Sequence, residues 1–106
     1  MIAVPLKLNR ENSPVAPLFG KAKWFAFVDE DRNITIEKND KDGGSKVVDW
    51  LLNKGVSVLI MQRMSFPPYQ KIQEGGKITI LYVGKDRILL NDALDKYENE
   101  DLILVD

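Results

Sequence analysis

The chain has no cysteine and no histidine. That excludes disulfides, zinc fingers and thiolate-held iron–sulfur clusters. It also removes cysteine nucleophiles and imidazole bases from any catalytic reading. A tight metal site would have to use carboxylates, carbonyls, thioethers or the N-terminus. Basic charge is not in excess either: 15 Lys and Arg stand against 16 Asp and Glu, so there is no global field to hold nucleic acid. No apolar run approaches the roughly 18 residues that a membrane span needs. The opening Met1–Leu6 is too short for a signal core and has no basic segment before it. The expectation is a cytoplasmic protein with neither nucleic acid nor membrane as partner.

What is present suits one globular domain over residues 1–106. Apolar residues make up 44% of the chain, enough for a core without covalent staples. Ile2–Leu6 reads as a first strand, with Pro5 tolerable near its end. Asn9–Pro17 reads as a loop stiffened by Pro14 and Pro17. Trp24–Val28 is apolar on both alternating faces, the mark of a strand buried on both sides. Turn chemistry at Asp29–Asn33 returns it into Ile34–Glu37, a half-exposed strand near an edge. Glu37–Asp42 is a solvated mixed-charge loop.

Ser45 is expected to cap a helix carrying Val47, Val48, Leu51 and Leu52, with Gly55 past its end. Val56–Met61 has the continuous apolar character of a buried parallel strand. Pro68 suits the first position of a short helix running to Glu74. Ile78–Val83 is a further strand. Asn91 can cap a last helix with Ala93, Leu94 and Tyr97, and the tail Leu102–Val105 is expected to pack back onto the body. The order predicts an α/β sandwich of about three layers with a mixed sheet.

Three segments carry candidate binding residues. In the first loop, Phe19 is an anchor, Gly20 allows close approach and Lys21 can meet an anion. Gly43-Gly44-Ser45-Lys46 leads into a helix whose N-terminal N–H groups and dipole favour negative charge. Its glycine spacing is not that of a P-loop. Arg63 and Met64 follow a strand, where Arg63 can clamp a carboxylate or phosphate and Met64 is a soft donor. Met61 reads as core filler. No catalytic elbow, metal-ligand set or converging carboxylate pair occurs, so no catalytic or metal residue is expected and the chain reads as a non-enzyme.

Several patterns together resemble the dinitrogenase iron–molybdenum cofactor biosynthesis family. They are Ile2-Ala3-Val4-Pro5, Ser13-Pro14, the run Phe19-Gly20-Lys21-Ala22-Lys23-Trp24-Phe25, Gly43-Gly44 before a helix, Gly55-Val56 before a strand, and Ala93-Leu94 with Tyr97. The resemblance spans nearly the whole chain. It implies a ribonuclease H-like topology, a mixed five-stranded sheet with helices on both faces. It further implies a carrier of iron–molybdenum cofactor or its iron–sulfur precursor.

The chain departs from the family pattern at three places. Leu18 stands where the family usually has histidine. Gly43-Gly44-Ser45 replaces a turn in which histidine is frequent. Met64–Tyr69 replaces a glycine-rich loop. Two functional readings follow. One is a carrier that seats a metal cluster or anionic small molecule between the three loops. The other is a module that works by contact with a protein partner or a second copy, anchored by Phe66, Pro67, Pro68 and Tyr69.

Overall fold

The structure, a computed structural model, describes residues 1–106. Six strands and three α-helices follow one another as β1 (Ile2–Leu6), β2 (Trp24–Val28), β3 (Ile34–Lys38), α1 (Gly44–Asn53), β4 (Val58–Met61), α2 (Phe66–Gly75), β5 (Thr79–Tyr82), α3 (Leu90–Glu98) and β6 (Ile103–Val105). A single 3₁₀ turn, Phe19–Lys21, interrupts the long first loop. The strands form one sheet in the order β3-β2-β1-β4-β5-β6. β1 is antiparallel to β2, and β2 to β3. β1, β4 and β5 run parallel, and β6 returns antiparallel to β5.

Alternation along β2 divides the core in two. Phe25 and Phe27 face a cluster with Val47, Val48 and Leu51 of α1 and Ile72 of α2. Ala26 and Val28 face the other side, with Leu90, Ala93 and Leu94 of α3. The sheet is therefore covered on both faces. Met61 is buried in the first cluster, as its apolar surroundings require. No helix is long and apolar enough to cross a membrane.

The sheet has six strands where the family resemblance implies five. The additional strand is the apolar tail, with Ile103 opposite Tyr82, Leu104 opposite Leu81 and Val105 opposite Ile80. The helix starts also differ from expectation. α1 begins one residue before Ser45, and its N-cap is Gly43, whose φ of +100° suits glycine alone. Leu52 is exposed while Val47, Val48 and Leu51 are buried. Phe66 holds the first position of α2, with Pro67 and Pro68 second and third. Prolines are harmless there because first-turn N–H groups have no intrahelical partner. Leu89, not Asn91, is the N-cap of α3, and the Asn91 N–H donates to Asn12 Oδ1 at 2.9 Å.

The β2–β3 turn is built on Asp29. Its Oδ1 accepts the N–H groups of Asn33 and Asp31, each at 2.9 Å, and its Oδ2 accepts Asn33 Nδ2 at 3.1 Å. Donation from the Asn33 backbone, then from its side chain, holds the Asp29 carboxyl below its ordinary pKa. A carboxyl depressed on folding adds stability that is present above its unfolded pKa. That stability fades as pH falls through the lowered folded value. Carboxyl carbon shifts followed by NMR against pH should show Asp29 titrating below the ordinary aspartate value, and Asn33→Ala should raise it. An unshifted Asp29 midpoint would show that the turn is open in solution.

Candidate functional site

Strand direction decides where the candidate loops meet. β3 lies two antiparallel steps from β1, so it runs the same way as β1 and β4. The segments following β1, β3 and β4 therefore leave the sheet at one end. Between β1 and β4 the connections also diverge, toward β2 on one side and β5 on the other. Crevices at such points are where open α/β sheets take ligands.

A cleft of about 570 Å³ occupies this end. One wall is Leu18, Phe19, Gly20 and Lys21, and the floor is Gly43 and Gly44. Arg63, Met64 and Ser65 form the opposite wall. Seven of the nine candidate residues thus line one opening. The other two, Ser45 and Lys46, do not. The Ser45 carbonyl accepts Lys71 Nζ at 3.4 Å, and the Lys46 side chain is exposed. Their place in α1 still matters, since the first intrahelical bond at this end is Val47 N–H to the Gly43 carbonyl at 3.2 Å. The N–H groups of Gly44, Ser45 and Lys46 precede it, and no side chain caps them.

The walls are fixed by burial and by one crossing bond. Phe19 is fully buried, its ring edge-on to Phe25 with centroids 5.7 Å apart. The Phe19 N–H donates to the Arg63 carbonyl at 2.9 Å, tying the first wall to the second. Farther back, Ala16 N–H reaches the Pro5 carbonyl at 2.8 Å and Leu90 N–H the Ser13 carbonyl at 2.9 Å. The floor is close-packed: a Cβ on Gly44 would lie 2.8 Å from Pro68 Cγ. Leu18 and Ser65 line the cleft without having been singled out as binding residues. Leu18 is apolar and announces no chemistry, and Ser65 is marked only by following Met64.

Charge at the opening is positive. Lys21 and Arg63 form no ion pair, whereas Lys54 pairs with Glu37 and Lys71 with Asp49. A smaller pocket of about 260 Å³ lies at the other end, among Ile2, Val28, Arg32, Leu94 and Tyr97. Its arginine is committed to Asp95 and Glu98. Of the proposed protein anchor, Phe66 and Pro67 are exposed, Tyr69 is half-buried, and Pro68 is buried against Gly44.

The dinitrogenase iron–molybdenum cofactor family model matches residues 1–100. The chain belongs to this family. It also shares its fold with solved structures. A candidate NifB protein from Thermotoga matches with a TM-score of 0.82 at 23% identity, over 97% of this chain and 90% of that one. The apo form of the orange protein from Desulfovibrio gigas matches with a TM-score of 0.84 at 19% identity, over 98% and 91%. A candidate dinitrogenase from Methanocaldococcus jannaschii matches with a TM-score of 0.76 at 16% identity, over 98% and 92%. At these identities the likeness is one of fold. A search of curated proteins finds no match.

The donor set does not fit direct ligation of iron. There is no imidazole or thiolate in the chain, and no group of three carboxylates is placed to hold a metal ion. The Met64 thioether is the one soft donor on the cleft wall. The cleft suits an anion held by N–H groups and by charge.

Proposed function

We propose that this chain is a non-enzymatic carrier or accessory protein whose cleft holds an anionic cargo. Family membership makes iron–molybdenum cofactor or its iron–sulfur precursor the first cargo to try, and a smaller anionic metabolite the second. One observation carries the reading: the uncapped N-terminus of α1 opens into the same cleft as Lys21 and Arg63. Helix N–H groups and unpaired cations act together on negative charge. Without histidine or cysteine, the cargo keeps its own ligands and the protein supplies hydrogen bonds and charge around it. We also read the run β3-β2-β1-β4-β5 as a ribonuclease H-like arrangement, with β6 as an addition to it. The three antiparallel strands followed by two parallel ones support that reading.

The test is anaerobic mixing with isolated cofactor and with its precursor, gel filtration, and metal counting in the protein peak. Stoichiometric iron is expected in that peak. Lys21→Ala and Arg63→Ala should each weaken retention by about tenfold, the loss of one charge-assisted contact. Retention should also fall as salt is raised. A metal-free peak with both donors would sink the carrier reading.

A further inference from the structure

The two edges of the sheet are defended differently. β3 carries Glu37 and Lys38, and Glu37 is engaged by Lys54. β6 consists of Ile103, Leu104 and Val105, with no charge or proline inside it. An edge strand presents a row of unpaired N–H and C=O groups, and charged or proline residues normally guard it. Here Ile103 is 62% exposed and Leu104 58%. Neighbouring residues of a strand point to opposite faces, so apolar surface is open on both sides of this edge.

On the α2 side the surface continues into a groove of about 410 Å³ between Met61, Met64, Phe66, Tyr69 and Val105, with Gln62 and Arg63 at the end nearer the cleft. Phe66 is 65% exposed at its rim. The strand is also held in place from its inner side. It pairs with β5 over all three residues. From α2, the Tyr69 hydroxyl donates to the Asp106 carbonyl, and Gln73 Nε2 to the Val105 carbonyl at 3.3 Å.

Charge selects the occupant. Glu100 and Asp101 precede the strand and Asp106 follows it, all exposed, and residues 99–106 contain no base. A second copy pairing through β6 would bring these acids toward their counterparts, and like charges across a strand pair destabilise it. A strand with apolar alternation and basic ends meets no such penalty. Asp101 and Asp106 are five positions apart, about 17 Å at the rise of a strand.

We propose that β6 is a docking edge for an extended segment of a partner protein, apolar in its middle and carrying Lys or Arg at both ends. The segment adds as a seventh strand, its main chain pairing with β6 and its side chains covering Ile103 and Leu104. Its basic residues lie opposite Asp101 and Asp106. The inference does not depend on what the cleft holds.

The test is an NMR titration of the full isotope-labelled chain with a capped synthetic peptide. The peptide has alternating valine and threonine between two lysines five positions apart. A control peptide has glutamates in place of the lysines. Saturable shifts are expected at Thr79–Tyr82 and Leu102–Asp106, with the control binding at least about fivefold more weakly. Leu104→Lys should abolish the shifts. The exposed pair Asp101→Lys and Asp106→Lys, combined, should invert the preference between the two peptides while leaving the fold intact. Equal binding of both peptides, or no saturable shift with either, would overturn the proposal. A doubled mass in sedimentation that Leu104→Lys abolishes would overturn it in favour of a second copy.

Discussion

Phe19→Ala is expected to cost about 3–5 kcal/mol, the usual loss for emptying a fully buried aromatic site. Domains of this kind have only about 5–15 kcal/mol in total, so the variant should sit near the edge of folding. The reason is the place of Phe19 in a chain of rings. It stands edge-on to Phe25, and Phe25 stands edge-on to Trp50 at 5.6 Å, so its removal opens space inside the α1 face of the core. The same residue holds the loop whose backbone crosses to Arg63. Urea unfolding should show a lower midpoint with an unchanged slope, and amide exchange at Gly20 and Lys21 should speed up before global unfolding. Leu18→Ala, on the exposed neighbour, should cost less than about 0.5 kcal/mol. Equal losses for the two variants would show that the loop is not anchored through Phe19.

Part of this is legible in the sequence. Phe19 is the one aromatic residue between Asn9 and Lys23 and precedes Gly20, so it reads as an anchor of the loop. Trp24–Val28 announced a strand buried on both faces, and the two core clusters divide its residues by parity. The sequence suggests that the three loops share one opening, but the strand order and directions that bring them to one end are properties of the fold.

Other features were hidden for physical reasons. Ile103–Val105 has only three residues and no turn signal, and its pairing is decided by the free edge of β5. Ser45 as the cap of α1 lies two residues past the observed N-cap, because serine caps well in isolation while the chain uses a positive φ at Gly43 instead. Ser45 and Lys46 lie inside α1 rather than at its cap, and neither lines the opening. Leu18 is legible only as a departure from the family's usual histidine, because an apolar residue advertises packing, not binding.

Gly44→Ala is expected to destabilise the protein by about 1–2 kcal/mol, against the trend for a helical glycine. Alanine in place of glycine ordinarily favours a helix by up to about 1 kcal/mol. Here the new methyl would lie 2.8 Å from Pro68 Cγ and 3.2 Å from its Cβ. Neither partner can give way cheaply. Pro68 is buried in the first turn of α2 with its ring fixed to the backbone. Room behind α1 is small, because Gly20 packs against Gly44 closely enough that a Cβ on Gly20 would be in contact with it at 3.4 Å. Overpacking of this kind costs about 1–3 kcal/mol, which exceeds the helical gain. The strain acts on the floor of the cleft, so cargo retention should fall together with stability. Pro68→Ala removes the nearer contact and should recover part of the loss, giving a coupling above about 0.5 kcal/mol in a double-mutant cycle. A stabilised Gly44→Ala, or a cycle without coupling, would mean that α1 and α2 meet less closely in solution and that the floor can widen to admit a larger cargo.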